Sequence, residues 1–296
     1  LCINFFTGLI LPKKNTMRKI ILILLLFCSA SIYAAGWVRM PSITGIADNI
    51  IYKVLPDGQG NLFASIRVGG IYKSTNGGAN WALSGAAGGS VYNLILAPNG
   101  DIYGIGRAGS SETIYRSTNS GASWQTVFSK SFSQNASLWG EIVFPSNGQI
   151  IAAFSVTVYP TVSDVDTYVI KSSNGGNDWS DLGFIGPLIS MNTGGGSGMV
   201  IGADGNIYLG TGQTGLLSSS NFGAGWAGVP SVSSMFTSFL QKGNVGNSIF
   251  EGEAYGVNHS TNNCGSFSFL GPFNAWSYTK KAGIGPNDEI YIALSD

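Results

Sequence analysis

One eight-residue pattern occurs five times in this chain, and it constrains the fold more than any other feature. Its clearest copies are Ser74-Thr75-Asn76-Gly77-Gly78-Ala79-Asn80-Trp81 and Ser117-Thr118-Asn119-Ser120-Gly121-Ala122-Ser123-Trp124. In residues 172–179 the same slots hold Ser172, Asn174, Gly176 and Trp179, and in residues 219–226 they hold Ser219, Asn221, Gly223 and Trp226. A worn fifth copy runs from Ser260 through Asn262 and Cys264 to Phe267. Successive copies end 43, 55, 47 and 41 residues apart. A period of that length belongs to chains built from repeated supersecondary units, none of which can bury its apolar face alone.

A second signature alternates with the octets. It is a turn followed by an apolar or aromatic pair: Leu62-Phe63, Ile102-Tyr103, Ile150-Ile151, Ile207-Tyr208, Ile249-Phe250 and Ile290-Tyr291. Asn99-Gly100, Asn147-Gly148 and Asp204-Gly205 precede three of these pairs. Such dipeptides between apolar runs are strong hairpin signals, because both residues tolerate positive φ. Each unit therefore predicts four short antiparallel strands. In the second unit they are residues 91–96, 102–106, 113–116 and 124–128, with the octet turning the third strand into the fourth. Four strands at this spacing are a β-propeller blade. The expected fold class is all-β, a propeller of about six four-stranded blades.

Composition excludes the alternatives. The 43 glycines have no three-residue period, so the chain is not collagen-like. Aromatics at 12% with balanced charge exclude disorder. Richness in Gly, Ser, Asn and Tyr excludes a helical bundle.

Six first-plus-second strand pairs are visible, against five third-plus-fourth pairs. Trp37 lies 44 residues before Trp81, so residues 37–40 align with a fourth strand. They are expected to close the ring on a last blade that lacks its third strand; otherwise the chain stops short of a full blade.

Residues 1–35 are expected to stand outside the fold. Met17-Arg18-Lys19, an apolar run over residues 20–27 and small residues up to Ala34-Ala35 follow the order of a secretory signal peptide. The run is short for a bilayer span. Residues 1–16 read as an upstream extension, and cleavage is expected after Ala34 or Ala35. Residues 36–296 then form one propeller domain, exported to the periplasm or beyond. Losing the leader removes four of the 15 cations and no acid, leaving 11 cations against 15 acids, a net charge of −4. That balance argues against a nucleic-acid partner. Cys264 is left alone, so no intramolecular disulfide is possible and stability must come from a packed core. One His and one Cys are too few for a zinc site. No cofactor or metal is expected, no membrane span remains, and the molecule is expected to be a monomer.

The octets resemble the Asp-box, Ser-x-Asp-x-Gly-x-Thr-Trp, of the bacterial neuraminidase repeat family, and the resemblance covers residues 37–296. It implies that each octet is the corner between the third and fourth strands of a blade, on the face away from the site of action. All five copies carry Asn in place of the family's Asp. Asn still closes an Asx turn, whereas cation binding through those positions loses its carboxylates. The implied roles are structural. Ser74 with Asn76, Ser117 with Asn119, Ser172 with Asn174 and Ser219 with Asn221 satisfy backbone groups. Gly78, Gly121, Gly176 and Gly223 take the left-handed position, and Trp81, Trp124, Trp179 and Trp226 pack between blades.

Chemistry in a propeller sits where first strands begin and second strands end. Aligning the units places Lys53, Asn93, Glu141 and Lys281 at one first-strand position, and Arg67 and Arg107 at the second-strand end. Trp139, Tyr52 and Tyr92 lie beside them. Aromatics with a few polar groups in a concavity suit a sugar, so Lys53, Arg67, Asn93, Arg107, Trp139, Glu141 and Lys281 are the expected ligand-binding residues. An insertion over residues 156–167 adds Tyr159, Asp164 and Asp166. A glycosidase needs two carboxylates about 5 to 10 Å apart, and Glu141 with Asp164 or Asp166 is the candidate catalytic pair. The sialidases of the family hold their substrate with three arginines. Of Arg39, Arg67, Arg107 and Arg116, the first and last fall on outer strands, and the Phe-Arg-Ile-Pro segment is missing. His259 is expected to be exposed on an outer strand, which disfavours a His-based triad. The expected function is a secreted, non-catalytic propeller that binds a glycan or an extracellular or periplasmic protein. The alternatives are an exported glycoside hydrolase diverged from sialidases, and an assembly or stability factor similar to the photosystem II assembly-factor relatives that share these boxes.

Overall fold

The computed structural model describes Ile43 and residues 50–86, 89–132, 136–157, 165–187, 198–211, 215–230, 237–253, 256–271 and 278–295. The chain divides into two units, Leu1–Pro41 and Ser42–Asp296, and all described residues belong to the second. The expected signal peptide, the strand over residues 37–40, Arg39, Tyr159 and Asp164 lie outside the described residues.

The first sheet holds β1 (Ile51–Pro56), β2 (Leu62–Ile66), β3 (Gly70–Ser74) and β4 (Ala82–Gly85). The second holds β5 (Ser90–Leu96), β6 (Ile102–Ala108), β7 (Ser111–Ser117) and β8 (Gln125–Ser131). β9 (Ala136–Val143), β10 (Ile150–Thr157), β11 (Val165–Ser172) and β12 (Ser180–Pro187) make the third. The fourth contains β13 (Met199–Ile201), β14 (Ile207–Thr211), β15 (Gly215–Ser219) and β16 (Ala227–Gly228). β17 (Phe239–Lys242), β18 (Ile249–Gly252), β19 (Val257–Ser260) and β20 (Ser268–Leu270) form the fifth. A sixth sheet pairs β21 (Tyr278–Ile284) with β22 (Ile290–Ser295). Every sheet runs in chain order with antiparallel neighbours. Among the described residues there is no helix.

The first strand of each sheet packs on the first strand of the next, from β1 on β5 through to β17 on β21. These are the inner strands of a multi-bladed β-propeller. Second strands lie deep in the fold: β2, β6, β14 and β18 are built mainly from apolar or small residues, with Arg107 and Glu251 as the charged exceptions, and are almost wholly buried. Fourth strands such as β16 and β20 are exposed along their length. The core lies between sheets: Tyr103, Ile105 and Ile114 of the second meet Ile150, Ala152 and Phe154 of the third.

All five octets form one corner. The Ser hydroxyl accepts the N–H of the fifth octet residue at 2.8–2.9 Å. It donates to the Asn side-chain oxygen at 2.9–3.0 Å. That oxygen also accepts the N–H of the seventh residue at 2.8–2.9 Å. The fourth and fifth residues of each octet have positive φ. The fifth also lies against the preceding sheet. A Cβ on Gly121 would run into the ring of Phe63, and one on Gly176 would lie 2.6 Å from the Tyr103 hydroxyl. Tyr103 donates its hydroxyl to the Gly175 carbonyl in the next corner at 3.2 Å, and the Tyr208 hydroxyl lies 2.8 Å from the Asn263 carbonyl. Among the octet tryptophans, Trp124 bridges to the preceding sheet, donating to Ser84 at 3.0 Å and meeting Phe63 edge-on. Trp179 meets Phe128 in the same manner.

The sixth sheet differs. Phe63, Tyr103, Ile151, Tyr208 and Phe250 are at most 4% exposed, whereas Tyr291, in the same repeat position, is 68% exposed.

Candidate functional site

The first-strand mouth is assembled from side chains that the structure treats unequally. Lys53 on β1 and Arg67 after β2 are exposed. Asn93 on β5 is half-buried and donates its amide to the Gly140 carbonyl of β9 at 2.9 Å, which ties two inner strands together. Glu141 follows on β9 and is half-buried. Trp139 packs its ring on the cluster around Val143, Ile151 and Val169, so it serves the core between the third and fourth sheets. Lys281 is on β21 and Asp166 on β11, but their side chains, like all of Asp164, lie outside the described set. Of the carboxylates proposed for glycoside cleavage, Glu141 alone is a described side chain.

Two expectations need correction. Tyr92 is not a mouth aromatic: it is 7% exposed, between the second and third sheets, and its hydroxyl bonds to Glu112. Sequence reading passed over Glu112. It lies opposite Arg107, which in turn lies opposite Ser90, in a polar row across β5, β6 and β7. Glu112 is fully buried, and burial pushes its carboxyl up to about 7, against the pull of the Tyr92 hydroxyl and the Arg107 charge. Burial and the neighbouring Glu112 push the Tyr92 hydroxyl well above the usual tyrosine range. A tyrosine–glutamate pair beside an arginine has the chemistry of a nucleophile, yet at this burial the hydroxyl has no substrate-facing side.

His259 is half-buried rather than exposed. Its ring stacks on Phe250 at 4.3 Å, and Nε2 lies 2.6 Å from the Ser248 hydroxyl. Asp288 is close by, but its carboxylate accepts the backbone N–H groups of Asn244 and Val245 at 2.5 and 3.1 Å and bonds to Ser248. Ser248 is 2% exposed. A working triad turns its carboxylate on the imidazole and opens its serine to substrate. This trio does neither, and instead fastens the fifth sheet to the sixth.

A second concavity lies at the other end of the inner strands. It is a cleft of about 770 Å³, and Leu96, Val143, Ile201 and Lys242, the last residues of β5, β9, β13 and β17, all line it. Pro98, Phe144, Pro145 and Phe222 add apolar walls. Phe222 is the fourth residue of its octet and has φ of 58°, in the left-handed region. The other corners place Gly77, Ser120, Gly175 and Asn263 there. A bulky residue in this conformation costs about 1–2 kcal/mol. The signal was present in the repeat alignment, as the one aromatic in a slot of small turn residues. Asp204 also lines the cleft, but its carboxylate is occupied by the Asn206 N–H at 3.1 Å, the Asn206 amide at 2.9 Å and the Tyr208 hydroxyl at 2.8 Å. Lys242 is exposed and makes no ion pair among the described residues.

Among the described residues, no cluster of His, Cys, Asp and Glu could hold a metal ion. No helix among them is long and apolar enough to cross a membrane.

No family model matches the chain, and no curated relative does. Solved structures do match. YCF48 bound to D1 peptide is 16% identical at a TM-score of 0.51, over 79% of this chain and 72% of that one. PorZ, an essential surface component of the type-IX secretion system of Porphyromonas gingivalis, is 13% identical at 0.53, over 83% of this chain and 37% of that one. The extracellular domain of the putative one-component system BT4673 from B. thetaiotaomicron is 11% identical at 0.57, over 87% and 33%. The chain thus spans little more than a third of the PorZ chain and a third of the BT4673 chain. At these identities the likenesses establish one thing, the β-propeller fold.

Proposed function

We propose that this chain is an exported, non-catalytic propeller of the Asp-box kind that holds an extended segment of a partner protein in the cleft at the ends of its inner strands. The observation that carries this reading is the convergence of four inner-strand ends on one concavity of about 770 Å³. That volume falls within the range of sites that enclose a ligand. The walls are mainly apolar, as peptide-binding grooves are. YCF48, which shares the fold, was solved with a peptide bound, so the scaffold is compatible with the task. An assembly or stability factor would work this way.

A second reading places a glycan at the opposite mouth, on Lys53, Asn93, Arg107 and Glu141. The inter-strand bond from Asn93 to Gly140 favours it, because it fixes polar groups around the axis. Panning a displayed peptide library on the mature chain, beside a glycan array and chromogenic glycosides, separates the readings. Enriched peptides that lose binding in Phe144→Ala support the cleft. Glycan binding that Asn93→Ala weakens, without peptide enrichment, favours the second reading. Sugar release lost in Glu141→Gln would replace both with a hydrolase.

A further inference from the structure

Resting on the reading of the cleft as the binding site, we infer that it selects an apolar peptide segment carrying a carboxylate, with Phe222 as the aromatic anchor and Lys242 as the counter-charge. The first support is the corner of the fourth sheet. Its hydrogen bonds, Ser219 to Asn221, Gly223 N–H to Ser219 and Gly225 N–H to Asn221, are those of the other corners. The other corners make them with Gly, Ser or Asn in the slot that Phe222 fills. The turn therefore has no need of a ring, and the ring is held against a backbone cost. Strained positions of this type collect where a protein binds or reacts. The Phe222 ring is half-buried against the core between the third and fourth sheets and lines the cleft with its remainder.

The second support is charge. The carboxylate of Asp204 is filled by its own turn, while Lys242 is exposed without an ion pair among the described residues. The cleft thus carries one cation and one anion among apolar walls, and of the two Lys242 is the one whose polar atoms are left for a ligand, on a mature chain with more acids than bases. A segment placing an aromatic or aliphatic side chain on Phe222 and an acid near Lys242 complements both. Proline walls, Pro98 and Pro145, contribute rigid contact area and no N–H donors.

The test pans the mature chain against phage-displayed random dodecapeptides and titrates a synthetic peptide of the enriched sequence. Enriched sequences are expected to combine aromatic or aliphatic residues with Asp or Glu. Replacing that acid by its amide is expected to weaken binding to the wild type at least tenfold. Lys242→Met should erase the difference between acid and amide. Phe222→Asn, a residue the fifth corner accepts in this slot, should lose at least tenfold in affinity with no fall in melting temperature. Enriched peptides without acids, or discrimination that survives Lys242→Met, would overturn the charge assignment and leave the cleft as a peptide site. Wild-type affinity in Phe222→Asn would overturn the anchor. If no peptide is enriched at all, the reading of the cleft itself fails.

Discussion

Glu112 holds its proton at a pH where most glutamates have lost theirs, because ionising inside the sheet-to-sheet core costs more than Tyr92 and Arg107 return. Glu251 is in the same position: fully buried, up to about 7 mainly through burial, despite donors from Thr237 at 2.9 Å and Asn258 at 2.7 Å. Both sit above their unfolded value of 4.5. Below that value both states are protonated and the contribution of these two groups is at its full level. As pH rises towards 7, the unfolded chain releases protons that the folded chain keeps, and stability falls by about 3 kcal/mol per group. Urea unfolding across this window is expected to show the loss in the wild type and a shallower slope in Glu112→Gln. Asp181 acts in the opposite sense, since Lys130 at 2.5 Å holds it below the usual carboxylate range. Its small contribution is present above about pH 4 and is lost on acidification.

The corner is the element that sequence reading resolved best. Ser, Asn, Gly and an aromatic at fixed offsets specify a turn chemically, so five copies could be placed before any coordinates. The strands followed, because Asn-Gly hairpins and apolar runs mark their ends. What stayed illegible depended on facing. Tyr92 sits at a bulge between Val91 and Asn93, which changes its side of the sheet, and counting residues along β5 does not reveal this. Glu112 and His259 likewise found partners on other strands, and Phe222 acquired meaning once its slot was seen to be left-handed. The corner also makes a paired prediction. Gly77 and Gly121 both have positive φ, but a Cβ on Gly77 meets nothing within 4 Å, while one on Gly121 collides with Phe63 and Ser84. Gly77→Ala should cost about 1 kcal/mol, from backbone strain alone. Gly121→Ala should cost about 3 kcal/mol, as overpacking is added. Denaturation midpoints of the two variants would check the difference.

For the whole molecule, stability resides in contacts between successive sheets. Arg116 shows how they are joined: it pairs with Asp101 at 2.6 Å in its own sheet, reaches Asn177 in the third sheet's corner at 3.0 Å and lies over the Tyr103 ring. Arg116→Ala is expected to cost about 3 kcal/mol, since Asp101 is left 7% exposed without its cation. The sixth sheet supplies the contrast. Tyr103→Ala should cost about 3 kcal/mol or more by emptying a filled interface. Tyr291→Ser, at the equivalent place in the repeat, should change stability by no more than about 0.5 kcal/mol. Equal costs for the two would mean that another segment covers Tyr291 in solution.

The five corners hang on a neutral amide, and that choice sets how the molecule ages. An asparagine followed by glycine loses ammonia and cyclises to a succinimide most readily, and water reopens it to an acid, either aspartate or an isoaspartate with an extra backbone methylene. Asn76 and Asn174 precede Gly77 and Gly175, whereas Asn119, Asn221 and Asn262 precede Ser120, Phe222 and Asn263. Among the corners, deamidation should therefore begin at the first and third, alongside the exposed Asn99-Gly100 and Asn147-Gly148 hairpins, in an order that peptide mapping of stored protein can read. Phe222, besides facing the cleft, shields the corner it strains from this wear.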